Sequence, residues 1–260
     1  VAKPSLSPSK LTTFLACPTK YYWTYIDPKG RYYLRSKHYY SFGTTLHRVL
    51  QQFHDASETG VATVGDAVRA MEENWVSAGY TSAEHMAEAA GEGREIIAKY
   101  VHSTLEKPPE GKTIFLERQI HTDLGPFRLI GRVDRVDELP DESWNIIDYK
   151  SGRLGVTEAE VAADIAMGCY QLILRRKYPE RNITASIIAL RSGESATASL
   201  SAEALDQFES DLIQLGTEIL NVNWDEHQPT AKPLCHHCDF LPLCRKSSEF
   251  ELEIPTSDLL

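Results

Sequence analysis

An α/β fold, with helices flanking one short mixed sheet, is predicted by three observations on this 260-residue chain. Strand-like apolar runs concentrate between residues 113 and 149, and one more lies at 182–191. Helical periodicity precedes, separates and follows these runs; the clearest case, 201–221, places Leu205, Phe208, Leu212, Leu215 and Ile219 at steps of three and four. Apolar content of 42% and charged content of 25% suit a globular chain long enough to bury a core. Helices and strands interspersed in this way build layered α/β architectures.

Ser7 and Pro8 form a helix start, a capping hydroxyl followed by proline at the first helical position. Leu11, Phe14 and Leu15 give that helix an apolar face, and Cys17-Pro18 interrupts it. A second helix is expected from Ser41 or Thr44 through Leu46, Val49, Leu50 and Phe53, followed by two Ala- and Glu-rich helices over 64–78 and 83–105. Pro108-Pro109 closes this helical region. Strands are expected at 113–122, 127–137 and 144–149, the first pair joined by the turn Asp123-Leu-Gly-Pro126. A helix over 157–178, the strand 182–191 and the helix 201–221 complete the pattern. The expected organisation is one domain over 1–245, in which 41–111 is a helical insertion, with 246–260 as an acidic tail.

The most informative residues lie on two neighbouring strands: Gly131-Arg-Val-Asp134, then Ile147-Asp148-Tyr-Lys150. Asp148 and Lys150 are two apart and so project from one face. Two carboxylates and an ammonium at adjacent strand ends suit a divalent cation, which takes oxygen ligands, beside a scissile phosphate. Phosphodiester hydrolysis is the chemistry this set points to. Asp137 falls on the opposite strand face and is expected at the surface or in a salt bridge; Glu117, one strand earlier, is a candidate for a second metal.

Five cysteines are present, and Cys235-x2-Cys238-x5-Cys244 is a tight group. Cys17 is the candidate fourth ligand, whereas Cys169 falls in an apolar helical pattern and is expected in the core. A one-plus-three arrangement fits an iron–sulfur cluster, while His236 and His237 keep zinc open. Either centre would clasp the N-terminal helix to the C-terminal segment.

Net charge is −10, yet residues 1–50 hold eight Lys/Arg against one acid and residues 51–110 hold eleven acids against four bases. Seven of the twelve tyrosines fall within the basic block. Cations interleaved with rings suit a nucleic-acid strand, and Lys20, Tyr21, Tyr22, Arg31, Tyr32, Tyr33, Arg35 and Lys37 are the candidate contacts; about half of the block's rings are expected to pack in a core instead. No run is long and apolar enough to span a membrane, and Val1-Ala-Lys-Pro-Ser-Leu-Ser-Pro8 lacks a signal-peptide core, so a cytoplasmic location is expected. No Gly-x4-Gly-Lys-Ser/Thr motif is present, so ATP-driven unwinding would belong to a partner.

Taken together, Leu6-Ser-Pro-Ser-Lys through Cys17-Pro-Thr-Lys-Tyr-Tyr22, Gly43-Thr-Thr-Leu-His47, Gly131-Arg-Val-Asp134-Arg-Val-Asp137, Ile147-Asp148-Tyr-Lys150-Ser-Gly152, Tyr170-Gln171 and the closing cysteine triplet resemble, in order, the RecB-type nucleases of the PD-(D/E)XK superfamily. The likeness is to their iron–sulfur branch, which includes AddB nuclease domains and CRISPR-adaptation exonucleases. The resemblance implies a restriction-endonuclease-like core and a metal-dependent DNA exonuclease in repair, recombination or processing of foreign DNA. It implies that His47, Asp134, Asp148 and the Tyr149 carbonyl hold Mg²⁺ or Mn²⁺, that Lys150 acts on the attacking water or the developing charge, and that Gln171 positions Lys150 or DNA. It also implies a 4Fe–4S cluster on Cys17, Cys235, Cys238 and Cys244, and DNA and a helicase- or integrase-type protein as partners. Arg175 stands where the family often has a tyrosine, a place Tyr170 can take. The competing functions are a non-catalytic DNA-binding or scaffold subunit and a zinc-clasped interaction module.

Overall fold

The computed structural model describes residues 3–55, 60–152 and 154–251; most of the expected acidic tail, 246–260, lies outside them. The chain opens with a two-residue strand, β1 (Ser5–Leu6), then α1 (Pro8–Ala16), where the Ser7 hydroxyl accepts the Lys10 N–H at the N-terminus. Cys17-Pro18 breaks the helix as expected, and α2 (Pro18–Tyr21), a π turn (Tyr22–Ile26) and a 3-10 turn (Pro28–Tyr32) follow. Three helices come next: α3 (His38–His54), α4 (Val64–Glu73) and α5 (Ala83–Glu106). The first begins before Ser41, and the second ends five residues before the expected 78.

The sheet comprises β1, β2 (Lys112–Asp123), β3 (Arg128–Glu138), β4 (Trp144–Lys150), β5 (Ile183–Ala189) and β6 (Glu194–Ala198). Its pairing is mixed: β2–β3, β3–β4 and β5–β6 are antiparallel, and β1–β3 and β4–β5 are parallel. The stretch expected as one helix over 157–178 is two, α6 (Glu158–Ala163) and α7 (Ile165–Lys177). Asp164 takes an extended conformation between them, and its carboxylate accepts the Ala166 and Met167 N–H groups (2.8 and 3.1 Å), a local bond that competes with helix continuity. Then come α8 (Ala202–Asn221), a 3-10 turn (Pro233–His237) and α9 (Leu241–Cys244). Neither β1 nor β6 was expected; β6 is made of small and polar residues and depends on the turn at Gly193, whose φ of +82° favours glycine.

Two apolar clusters sandwich the sheet. On one face Leu129, Val133, Val136 and Ile146 pack with Leu11 and Phe14 of α1, Met167 to Leu174 of α7, and Leu205 and Leu212 of α8. On the other, Ile147, Tyr149 and Leu190 meet Leu46, Val49 and Leu50 of α3, Met71 of α4 and Ile97 of α5. The helical segment α3–α5 thus covers a sheet face and brings His47 to it.

One detail of the topology builds the site. Strand β2 pairs with β3 along its whole length, so β1 and β4 must share the opposite edge. There β1 pairs only at Arg128 and Leu129 and β4 only from Arg135 to Glu138, which leaves residues 130–134 in an open fork.

Candidate active site

The fork collects the residues that the sequence singled out. Asp134 stands where the β3–β4 ladder ends, and its Oδ2 accepts the Tyr149 N–H (2.9 Å). The Tyr149 carbonyl is also freed from strand pairing on this side, and it accepts from His47 Nε2 (2.9 Å) on α3. His47 Nδ1 lies 3.3 Å from Asp134 Oδ1 and 3.8 Å from Glu117 Oε1. Lys150 Nζ is 2.8 Å from Asp148 Oδ2.

Burial pushes the Asp148 carboxyl, 7% exposed, up to about 6; the Lys150 charge opposes this and the Asp134 charge adds to it. Burial pulls the Lys150 amine down, but the Asp148 charge outweighs it and leaves the amine above its usual value. His47 behaves alike: burial lowers it, while bonds to Asp134 and Glu117 prevail and raise it to about 10. Its imidazolium carries positive charge among three carboxylates.

His47, Glu117 and Asp134 form a metal-competent trio, their ligand atoms all within 4.8 Å of one another. Glu117 lay outside the main expected set. It adopts φ = +44°, in the left-handed region, on a strand whose register places it opposite Asp134. Such a conformation costs roughly 1–3 kcal/mol and is held by its surroundings; Arg132 supplies an ion pair to its carboxylate (2.7 Å) and a bond to its carbonyl (3.3 Å). No one-letter pattern carries that signal.

Other expectations are corrected. Gln171 is 1% exposed, its Oε1 accepts from Leu200 N (3.0 Å) and its Nε2 donates to Met167 O (3.4 Å), so its amide serves backbone rather than Lys150 or DNA. Tyr170 is the residue of that pair that lines the site cleft with Asp148 and Lys150. Its ring lies against Gly131, where an added Cβ would meet Cε1 at 2.5 Å and Cδ1 at 2.8 Å. Gly131→Ala is expected to displace the Tyr170 ring, destabilise the fold by roughly 1–3 kcal/mol and depress turnover; an unchanged melting temperature together with unchanged cleavage kinetics would contradict that. Asp137, expected at the surface or in a salt bridge, is the latter: it is buried in an ion pair with Arg135 (2.7 Å). Arg135 Nη1 also donates to the Tyr149 hydroxyl (2.9 Å) and to His54 (2.6 Å), whose imidazole burial and the Arg135 charge lower to about 3.

The basic segment divides. Tyr21, 4% exposed, packs with Phe14, Tyr25 and Trp224 and is core, not a nucleic-acid contact. Tyr22 stacks on Trp224, and Lys37 is bound to Asp239 (2.8 Å). Arg31, Tyr32 and Arg35 are exposed, while Lys20 and Tyr33 are half-buried.

The four cysteines stand close enough for their charges to interact. Cys17 Sγ accepts the Lys20 N–H and Cys235 Sγ the Lys232 N–H, each at 3.4 Å. Burial, then repulsion from the other three sulfurs, pushes Cys244 up to about 12. Cys169 lies in the core, as expected. The C-terminal segment is bound to the N-terminal one by further contacts: Lys232 Nζ to Ala16 O (3.0 Å), Thr19 Oγ1 to His227 Nε2 (2.9 Å), and Asp239 to Lys37 and to the Arg35 N–H.

A forked mixed sheet with carboxylates, an imidazole and a lysine in the fork is the plan of a restriction-endonuclease-like core. The model of the PD-(D/E)XK nuclease superfamily matches residues 5–245, and the chain belongs to that superfamily. Among solved structures, it resembles a "putative exonuclease" from Eubacterium rectale with a TM-score of 0.55 and 15% identity, over 98% of this chain and 92% of that one; the likeness is one of fold. SSO0001 aligns at a TM-score of 0.40 and 12% identity, covering 95% of this chain and 88% of its own, too distant to add to the assignment. No curated protein matches significantly. Among the described residues no helix is long and apolar enough to cross a membrane.

Proposed function

We propose that this nuclease-superfamily chain is a metal-dependent deoxyribonuclease that degrades DNA from ends, drawing a single strand into the fork. The observation that carries this reading is the convergence of His47, Asp134, Asp148, the Tyr149 carbonyl and Lys150 in one open edge of the sheet. The donors fit a small divalent cation: hard oxygens predominate, and ligand atoms of His47, Glu117 and Asp134 lie within 4.8 Å of one another. His47, once the cation displaces a proton from its imidazolium, Asp134, Asp148 and the Tyr149 carbonyl would hold Mg²⁺ or Mn²⁺, with Glu117 as a further ligand. When bound, the metal polarises the phosphate and lowers the pKa of a coordinated water. The chain's own contribution is positional. Strand β4 presents Asp148 and Lys150 on one face, Lys150 orients the attacking water and offsets charge, and the Tyr170 ring walls the cleft. The complete acid–lysine set argues against a non-catalytic scaffold.

The second part of the proposal is a 4Fe–4S centre on Cys17, Cys235, Cys238 and Cys244, as in the iron–sulfur branch that includes AddB nuclease domains. Four cysteines gathered closely enough to interact, two of them accepting backbone N–H groups, fit ligands around one metal centre. Cys235→Ser is expected to remove iron and sulfide, lower the melting temperature and weaken DNA binding together. Zinc without sulfide in the wild type would overturn the cluster, and iron loss with stability and binding unchanged would overturn its role as a clasp.

End-labelled linear and closed circular DNA, single- and double-stranded, with Mg²⁺ or Mn²⁺, tests the activity. Degradation of linear DNA alone is expected. Cutting of circles would make the chain an endonuclease, and no cleavage by cluster-intact protein would shift the reading to a subunit of a helicase–nuclease or integrase assembly.

A further inference from the structure

Two cavities meet at the fork. One, of about 1040 Å³, opens between the start of α1, the unpaired edge of β3 and the α6–α7 junction. The other, of about 680 Å³, runs along α3 past Arg48 to Tyr39 and Tyr40. They share Glu117, Arg132, Asp148 and Lys150, so the reacting residues form a waist between two openings rather than the floor of one pocket.

Charge at the waist poses a problem for a polyanion. Among the described residues, the larger cavity is lined by the carboxylates of Glu117, Asp148, Glu160 and Asp164 against only Arg132 and Lys150. Lys150 is already in contact with Asp148. Arg132 makes its two polar contacts, both with Glu117, through Nε, and its side chain is 66% exposed. A guanidinium held along one edge in this way keeps its Nη groups for a phosphate, which it suits geometrically. In the metal-binding scheme only its Nε edge is used, to hold Glu117.

The smaller cavity carries the complementary feature. Tyr39 and Tyr40 are 52% and 68% exposed, with ring centroids 4.5 Å apart. Exposed rings beside a cavity that ends at a phosphate-binding cation offer a stacking platform for bases, and stacking on both needs bases that are not paired to a second strand.

We propose that one nucleic-acid strand crosses the fork from cavity to cavity, with Arg132 gripping the phosphate at the waist and Tyr39 and Tyr40 stacking the unpaired bases on the α3 side. This rests on the single-strand nuclease reading above and adds to it the path of the strand and the residues that hold it.

The test is fluorescence anisotropy of a labelled single-stranded oligonucleotide, without added divalent metal, over a salt series, with a blunt duplex of the same sequence as comparison. Cleavage of the single strand with Mg²⁺ is followed in parallel, and thermal melts check that each variant is folded. Arg132→Ala is expected to reduce the slope of log affinity against log salt by about 0.7, one phosphate contact on a single strand, and to raise KM. Arg132→Lys should recover the slope. Tyr39→Ala with Tyr40→Ala should weaken single-strand binding by about tenfold or more at unchanged slope, since stacking contributes roughly 1–3 kcal/mol per base, and leave duplex binding unaffected. A wild type that neither binds nor cleaves DNA overturns the nuclease reading. A wild type that does both, with the variants' slope, affinity and KM unchanged, overturns the strand path alone. Equal losses on duplex and single strand overturn the single-strand assignment.

Discussion

Lys150→Ala is expected to reduce DNA cleavage by about a thousandfold or more while the protein stays folded. Removing one preorganised charge-stabilising donor from an active site typically costs 10²–10³ in turnover. Here the ammonium has a second duty. Asp148 is buried, and Lys150 is the cation that lies against it and opposes the upward push of burial on its carboxyl. In the proposed scheme its removal therefore weakens a metal ligand as well as the activation of water. The fold should survive, because Lys150 is the last residue of β4 and its side chain is only half-buried. The measurement is single-turnover cleavage of an end-labelled oligonucleotide, paired with a thermal melt. Activity within tenfold of wild type in a folded, cluster-loaded Lys150→Ala preparation would remove Lys150 from the chemistry.

The second large effect is on stability. Asp137→Ala should destabilise the protein by about 3–5 kcal/mol, because it strands a buried guanidinium without its carboxylate. Arg135 is held by both Asp137 oxygens, at 2.9 and 2.7 Å, and neither side chain is more than 5% exposed. For a chain of this size the loss corresponds to a fall in melting temperature on the order of 10 °C. Replacing both partners, as Arg135→Met with Asp137→Leu, should recover most of it, since no buried charge is then left unpaired. A melting temperature within about 2 °C of wild type for Asp137→Ala would show that the ion pair holds nothing together. Cleavage should suffer too, though less than in Lys150→Ala, because Arg135 steadies the Tyr149 hydroxyl, on the residue whose carbonyl accepts from His47.

What could be read in advance follows from how local each signal is. Asp134, Asp148 and Lys150 were legible because strand alternation turns a spacing in sequence into a shared face, and the turn between them is short. Glu117 was legible only as a candidate for a second metal, since its place in the trio depends on a left-handed φ and on the register of β2 against β3. Gln171 misled in a different way: it sits one residue from Tyr170, which lines the cleft, and a single helical step turns it toward the backbone of Leu200. Tyr21 was grouped with exposed neighbours by composition, yet Trp224, two hundred residues away in sequence by rough count, covers it. The strands β1 and β6 are too short or too polar to show a period of two. The helices α3, α5, α7 and α8 were visible because each buries a long apolar stripe, while their ends were set by Asp164 and similar local bonds.

The contact between Asp239 and the approach to α3 bears on the order in which the site is assembled during synthesis. Lys37 and the Arg35 N–H are tethered to a carboxylate 202 and 204 positions later, and α3, which carries His47, starts at the next residue. On the ribosome, the sheet can pair as soon as β6 has emerged. The tether at the start of the histidine helix cannot form until residue 239 has cleared the exit, and loops this long close late. A nascent chain would therefore seat its acids, lysine and histidine helix, which packs on β4, α4 and α5, before the segment leading into that helix is fixed. The approach to the fork is thus closed only as the last cysteine-bearing turn comes into reach.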